Sequence, residues 1–293
     1  HAPALEEALG KAGVASSKTV LPAGELHKRW PAIERIVRDL LAAGADRRSV
    51  LVALGGGVVT DIGGFAASMF MRGIRWIAVP TTTLAMVDAA IGGKTGVDFD
   101  MVKNVIGAFH PPLATIVAPA FTETETLRAV RAGLSEAIKT FAVADARAFE
   151  ALEALGARCL EPAQRCSWIV RAARAKAAVV SEDPREEGRR IFLNFGHTLG
   201  HAIESAGGFD HWTHGEAVAL GMVAALRLGV VAGATPPELA RRVETMLATS
   251  GLPTSVVDVD LPALVGFVAN DKKRLKRTLR FVLLHALAEP VAQ

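Results

Sequence analysis

The first 120 residues alternate between two hydrophobic periods, and this alternation restricts the fold more than any other feature of the chain. Short β-branched or apolar runs stand at Lys18–Leu21, Ser49–Leu54, Ile74–Val79 and Ala114–Val117. Helical patterns lie between them, at Trp30–Ala43 and Asp61–Met71. Strand, helix, strand in succession implies a crossover, so the expected unit is α/β with a parallel sheet covered by helices. Gly and Pro punctuate the run ends, at Pro22, Gly24, Gly55–Gly57, Pro80, Pro111 and Pro112.

After Phe121 the texture changes to long Ala/Leu/Arg segments with helical spacing. They cover Leu127–Ala144, Arg147–Leu155, Ala163–Val180, Thr198–Ser205 and Glu216–Ala232. The expected division is therefore an α/β domain over 1–120 and an all-helical domain over 121–293, with one late strand at Arg280–His285. The formal charge of +3, with Lys and Arg scattered over both halves, gives no basic stripe for nucleic acid. A phosphorylated or carboxylated small molecule suits such cations better. The longest apolar run, Ala217–Leu226, ends at Arg227 and is too short to span a bilayer, so no membrane partner is expected. Two cysteines, Cys159 and Cys166, read as reduced thiols of a cytoplasmic protein. No signal peptide is visible, and the first residue is His.

Three segments carry polar groups suited to chemistry. Leu51–Asp61 is a strand that runs into Gly55, Gly56 and Gly57 and then a helix. Glycines admit a phosphate close to the backbone, and the following helix N-terminus offers free N–H groups. A tight turn without a ligand explains them equally well, and the dinucleotide fingerprint G-x-G-x-x-G is not met. Thr81 and Thr82 end the next strand on the same sheet edge, which favours a nucleotide. The second segment runs from Met86 to Asp98 and on to Lys103 and Asn104, a polar, glycine-bearing loop. Asp88, Lys94, Lys103 and Asn104 suit a phosphorylated polyol, although a solvated loop needs no ligand.

The third segment holds His197, His201, His211 and His214. His197 and His201 stand four apart on one helix face, and His214 opens a further helix. Two imidazoles and a carboxylate form a common metal set, but the spacing does not choose the pair. It leaves the carboxylate open between Glu136, Glu204 and Glu216. Glu136 and Lys139 share a face and read, by themselves, as a surface salt bridge.

Together these segments resemble the 3-dehydroquinate synthases, in the sugar-phosphate cyclase group. The resemblance covers nearly the whole chain. It rests on Gly55–Asp61, Met71–Arg75, Val79–Thr82, Asp88 with Gly92–Thr95, Lys103–Phe109, Gly133–Lys139, Leu193–Glu204, His214–Val218 and Asp271–Lys273. It implies a dinucleotide-binding α/β domain and a helical metal-binding domain. It also implies a reaction, the conversion of 3-deoxy-arabino-heptulosonate 7-phosphate into 3-dehydroquinate and phosphate, in the shikimate route to aromatic amino acids. A recycled NAD oxidises a ring hydroxyl, phosphate leaves by β-elimination, the hydride returns, and the opened ring closes by aldol addition.

Residue by residue, the resemblance implies a divalent metal (Zn or Co) on Glu136, His197 and His214. His201, Lys94, Lys139, Asp88 and Asn104 would take part in catalysis. Lys94, Asn104, Arg190, Asn194 and Lys272 would surround the phosphate and nearby hydroxyls, with Arg72 reaching the phosphate of a neighbouring subunit in a homodimer. Lys176 would sit near the substrate carboxylate, with Asp88, Lys139 and His201 also on the substrate. NAD would contact Glu25, Lys28, Gly57, Val58, Val59, Thr60, Asp61, Thr81, Thr82, Lys94, Lys103, Phe121, Thr122, Glu123 and Thr124.

Against the family pattern, the sequence reads as beginning inside the first helix, so the family's N-terminal strand and its nucleotide contacts are not expected within residues 1–293, and the C-terminus reads as short. Phe121–Leu127 lacks a Leu-Pro pair, and Thr140 replaces an aromatic. Glycerol dehydrogenases share the two-part plan but perform net oxidation, and the extra cations here disfavour that reading. A cyclase for a substrate without the carboxylate is the nearer alternative, set aside on Lys176, Arg190 and Asn194. A non-catalytic binding protein of this fold would need a broken metal set, and all three ligand positions are intact.

Overall fold

The computed structural model describes every residue except 101, 207–210 and 256–279. It divides into two compact units, His1–Thr124 and Glu125–Gln293.

The first unit holds a parallel sheet of β1 (Val50–Gly55), β2 (Arg75–Pro80) and β5 (Ala114–Thr115), in the order β1-β2-β5. The β1–β2 register sets Ala53 against Ala78 and Gly55 against Pro80. Three helices accompany it: α1 (Ala2–Lys11), α2 (Trp30–Ala42) and α3 (Gly57–Met69). Ile33 and Ile36 of α2 meet Ile62, Phe65 and Ala66 of α3. The other side of α3 joins Trp76, Ala78 and Ala53 of the sheet through Ala67. A helix buried on opposite sides must be apolar nearly all round, as α3 is.

Two expectations change here. Lys18–Leu21 forms no strand. Its Thr19 hydroxyl donates to Asp39 of α2 at 2.7 Å, and Leu21 packs into the α2–α3 cluster, so side chains rather than a strand partner hold it. The loop expected over Met86–Asp98, Lys103 and Asn104 instead enters an antiparallel hairpin, β3 (Lys94–Phe99) and β4 (Val102–Phe109). Gly96 faces Gly107 across the pair, and a Cβ on Gly96 would stand 2.6 Å from the Ile106 carbonyl oxygen. Glycines that allow this approach also lower strand propensity, which hid the hairpin from the sequence pattern.

The second unit is helical: α4 (Leu127–Ala144), α5 (Ala146–Leu155), α6 (Pro162–Glu182), α7 (His197–Ala206), α8 (His214–Val231) and α9 (Pro237–Thr249). Among its described residues the unit also holds a hairpin of β6 (Val282–Ala286) and β7 (Glu289–Ala292), and the late strand read at Arg280–His285 is its first arm. Side-chain caps fix several starts. Thr126 accepts from Ala129 N–H at α4, and Asp145 accepts from Ala148 N–H at α5 while holding Arg171 of α6. Among the described residues α8 is long and apolar enough to cross a membrane, yet it lies largely buried within the unit, against α4, α7 and α9.

Candidate active site

Three helices of the second unit each deliver one donor to a single point. Helix α4 carries Glu136 with no exposed surface, among the buried polar residues Ser135, Lys139 and Thr140. Helix α7 starts on His197, just after Gly196, whose φ of 80° bends the chain into the helix. Helix α8 starts on His214, set by a capping box in which Thr213 and Glu216 bond each other's backbone N–H.

Close packing brings these starts together. A Cβ on Gly215 would stand 2.6 Å from the Ala132 carbonyl carbon, and nearer still to its oxygen and Cα. A Cβ on Gly221 would stand 2.7 Å from Gly200 N and nearer to Gly196 O. Bare backbone thus lets α8 approach both α4 and α7.

The result is a convergent donor set. His214 Nε2 lies 3.2 Å and His197 Nε2 3.4 Å from the same oxygen, Glu136 Oε1. The three donor atoms lie within 4.8 Å of one another. Lys139 Nζ forms an ion pair with Glu136 Oε2. This pair is wholly buried, which corrects the surface salt bridge read from spacing: α4 turns that face inward.

The other candidates from the sequence separate by position. The His201 ring lies 5.3 Å from that of His197 and 6.0 Å from that of His214, beside the donors and outside the set. His211 instead stacks edge-on against Trp212. Glu216 caps α8 and takes a bidentate contact from Arg128 at 2.7–2.8 Å. Glu204 lies 3.5 Å from His214 Nδ1, on the side of the ring away from Glu136.

The electrostatics separate the two imidazoles. Burial, reinforced by the Lys139 charge, pushes His197 down to about 3, so its imidazole is neutral at neutral pH. Burial acts the same way on His214, but bonds to Glu136 and Glu204 outweigh it and push its pKa up to about 10. The His214 ring thus stands between two carboxylates that both favour its protonated form, Glu136 on Nε2 and Glu204 on Nδ1.

Of the groups expected on substrate, Lys176 on α6 and Arg190 are buried cations. Arg190 and Asn194 belong to the 3₁₀ segment Arg189–Asn194, which leads into Gly196 and His197. Arg190 Nη1 donates to Pro184 O at 2.6 Å, and the Asn194 amide donates to Glu186. Glu186 adopts a left-handed φ of 61° to make that contact, and its charge-rich surroundings gave no sequence signal for it. Lys272 lies outside the described residues.

The first unit gathers the other group. Lys28 Nζ donates to Asp61 at 2.6 Å and to Asn104, and Glu25 Oε1 lies 3.9 Å from both Lys28 and Lys103. Asn104, expected at a phosphate, thus has its amide oxygen on Lys28. Burial pushes Asp61 up to about 6 against the pull of Lys28, while Lys28 itself is raised, so the pair is ionised at neutral pH. Asp88 stands on a π-helical turn, Ala85–Ala89, and its charge also raises Asp61.

Gly57, Val58, Val59 and Thr60 form the first turn of α3. A Cβ on Gly56 would press 3.2 Å from Thr82, and one on Gly57 3.1 Å from Ala89, so packing as well as any ligand favours glycine there. Thr81 N–H bonds Gly55 O, and Thr82 Oγ1 accepts from Ala85 N–H. Lys94 starts β3. Phe121, Thr122, Glu123 and Thr124 form a 3₁₀ segment with Pro119, where Phe121 stacks on His1. Arg72 is exposed, and with Met71 and Gly73 it makes three successive left-handed residues.

Residues 18–132 match the family profile described as 3-dehydroquinate synthase N-terminal, and residues 133–274 match 3-dehydroquinate synthase C-terminal. The chain belongs to the 3-dehydroquinate synthase family. A 3-dehydroquinate synthase of Paracoccus denitrificans is 42% identical over 98% of this chain and 80% of its own length. One from Synechococcus is 45% identical over 95% of this chain and 77% of its own. Among solved structures, 2-epi-5-epi-valiolone synthase from Streptomyces hygroscopicus, with NAD+ and Zn2+ bound, superposes with a TM-score of 0.89 at 30% identity, covering 98% of this chain and 81% of that one. A 2-deoxy-scyllo-inosose synthase with carbaglucose-6-phosphate, NAD+ and Co2+ gives 0.89 at 28% identity over the same shares. A probable glycerol dehydrogenase from Sinorhizobium meliloti shares the fold at a TM-score of 0.64, over 92% of this chain and 80% of its own. Its 20% identity supports the fold alone.

Proposed function

We propose that this member of the family converts 3-deoxy-arabino-heptulosonate 7-phosphate into 3-dehydroquinate and phosphate, with NAD recycled and a divalent metal held by Glu136, His197 and His214. The observation that carries the reading is the donor set: one buried carboxylate and two imidazole Nε2 atoms on one point, in a chain more than 40% identical to 3-dehydroquinate synthases. That donor set fits zinc or cobalt with an open position for substrate.

When bound, the metal supplies Lewis acidity to a substrate hydroxyl and NAD supplies a hydride acceptor. The chain's residues do the rest. Lys139 pairs with Glu136 and offsets its buried charge, leaving the other carboxylate oxygen to the metal. His201, beside the donors, accepts or returns a proton on the substrate. Lys94, Asn104, Arg190, Asn194 and Lys272 hold the phosphate and ring hydroxyls, Asp88 and Lys139 orient the ring, and Lys176 takes the carboxylate. Glu25, Lys28, Lys94, Lys103, Thr81, Thr82, the first turn of α3 from Gly57 to Asp61, and Phe121–Thr124 hold NAD. The domains read from the sequence as 1–120 and 121–293 thus divide the work into nucleotide and metal binding, with Phe121–Thr124 on the nucleotide side as the last turn of the first compact unit. Arg72 serves the phosphate of the partner in a homodimer, and the enzyme acts in the cytoplasm.

The test is phosphate release from the heptulosonate phosphate, with and without added NAD and metal. Release that needs both, without accumulation of NADH, supports the reading. NADH that rises steadily with glycerol or another polyol overturns it. Lys176→Ala is expected to weaken the acid substrate far more than a carboxylate-free analogue, and equal losses would remove that role.

A further inference from the structure

We infer that Glu204 is a positioning residue for the metal centre, holding the His214 ring by Nδ1 so that Nε2 is its ligand atom. This inference rests on the metal-dependent reading above.

The geometry treats the two imidazoles alike but with different groups. His214 Nδ1 lies 3.5 Å from Glu204 Oε2, while its Nε2 lies 3.2 Å from Glu136 Oε1. His197 Nδ1 lies 3.3 Å from the Phe195 carbonyl oxygen, while its Nε2 lies 3.4 Å from the same Glu136 oxygen. A neutral imidazole has one N–H and one lone pair. An acceptor at Nδ1 fixes the N–H there and leaves the Nε2 lone pair aimed at the shared point.

The two acceptors are not equivalent. Phe195 is buried and its carbonyl is fixed two residues before the ligand, so His197 is oriented by backbone. His214 is oriented by a side chain from another helix. His197, His201 and Glu204 follow at helical spacing along one face of α7, which presents a ligand, a flanking imidazole and a carboxylate to the start of α8. Glu204 is 7% exposed, so water screens its charge little. A carboxylate on Nδ1–H makes the ring a stronger donor at Nε2 than a carbonyl does. Spacing alone left Glu204 as a candidate ligand. Its place behind His214 makes it the support of a ligand instead.

The experiment measures Zn2+ and Co2+ dissociation constants by chelator competition for the parent, Glu204→Gln and Glu204→Ala. It adds the nitrogen and N–H proton resonances of the two ligand imidazoles in the zinc-loaded protein. Thermal unfolding of the metal-free forms establishes that each variant folds. Glu204→Ala is expected to weaken metal binding about 10- to 100-fold. Glu204→Gln keeps an acceptor without the charge and is expected to fall between. The His214 Nδ1–H resonance should shift in Glu204→Gln and broaden into solvent exchange in Glu204→Ala, while that of His197 stays in place. Metal binding within twofold of the parent in Glu204→Ala overturns the inference. So does a His197 shift as large as that of His214, which would show general loosening. These readouts need no turnover, so failure of the cyclase assay and failure of this inference are separate results.

Discussion

Gly215→Ala tests whether backbone contact between α4 and α8 sets the metal site. In an open helix this replacement stabilises by about 0.5–1 kcal/mol, because alanine loses less entropy on folding. At Gly215 the new Cβ would lie 2.6 Å from the Ala132 carbonyl carbon, where ordinary contact begins at 3.4 Å. The obstacle is backbone on both sides and cannot rotate away. The helices must part by roughly 1 Å, and such overpacking costs about 1–3 kcal/mol. The same shift moves His214, the preceding residue, away from Glu136. Metal sites tolerate about 0.2 Å in ligand distance, so affinity should fall by about tenfold or more. Thermal unfolding of the metal-free protein and chelator competition for zinc read the two effects. Gly10→Ala in α1, with nothing within 4 Å, is the control and should gain about 0.5 kcal/mol. A Gly215→Ala protein that is as stable as the parent and binds metal equally well would refute the reasoning.

Three further predictions concern charge. In the metal-free second unit, folded His197 titrates at about 3 and folded His214 at about 10, against 6.5 for an ordinary histidine. Folded His197 binds fewer protons than unfolded, so its contribution is lost as pH falls from 6.5 towards 3; folded His214 binds more, so its contribution is present below 6.5 and lost as pH rises towards 10. Denaturant titration across pH should show the alkaline loss reduced in His214→Asn, and zinc affinity of the parent should rise about tenfold per pH unit near neutrality as one proton is displaced. Lys139→Met leaves Glu136 buried beside no lysine and should destabilise the metal-free protein by about 3 kcal/mol, and less with zinc bound; equal losses in both forms would exclude the charge argument. Lys28→Met should cost the first unit about 3 kcal/mol, with part of the loss recovered when Asp61→Asn is added, as a double-mutant cycle would measure.

The sequence made the helical parts of the site legible and left its sheet-borne parts obscure, for a physical reason. Helices show their period along one segment, so α4, α7 and α8 could be read as helices, although the period did not show that α4 turns Glu136 and Lys139 inward. A hairpin such as β3–β4 shows itself only through its partner, and its close glycine approach removes the side chains that signal a strand. The same limit applied to the ligands. Spacing places His197 and His201 on one face, but it cannot say which of them meets a group from another helix. The contacts of Gly215 with Ala132 and of Gly221 with Gly196 and Gly200 decide that, because they fix how far α8 enters between α4 and α7. Given that depth, His214 and His197, at the starts of α8 and α7, meet Glu136 in the middle of α4, His201 falls one turn beyond, and Glu204 comes to rest behind His214. The residues without side chains thus decide which of the three carboxylates and four histidines converge on one point, Glu136, His197 and His214, and which lie around it.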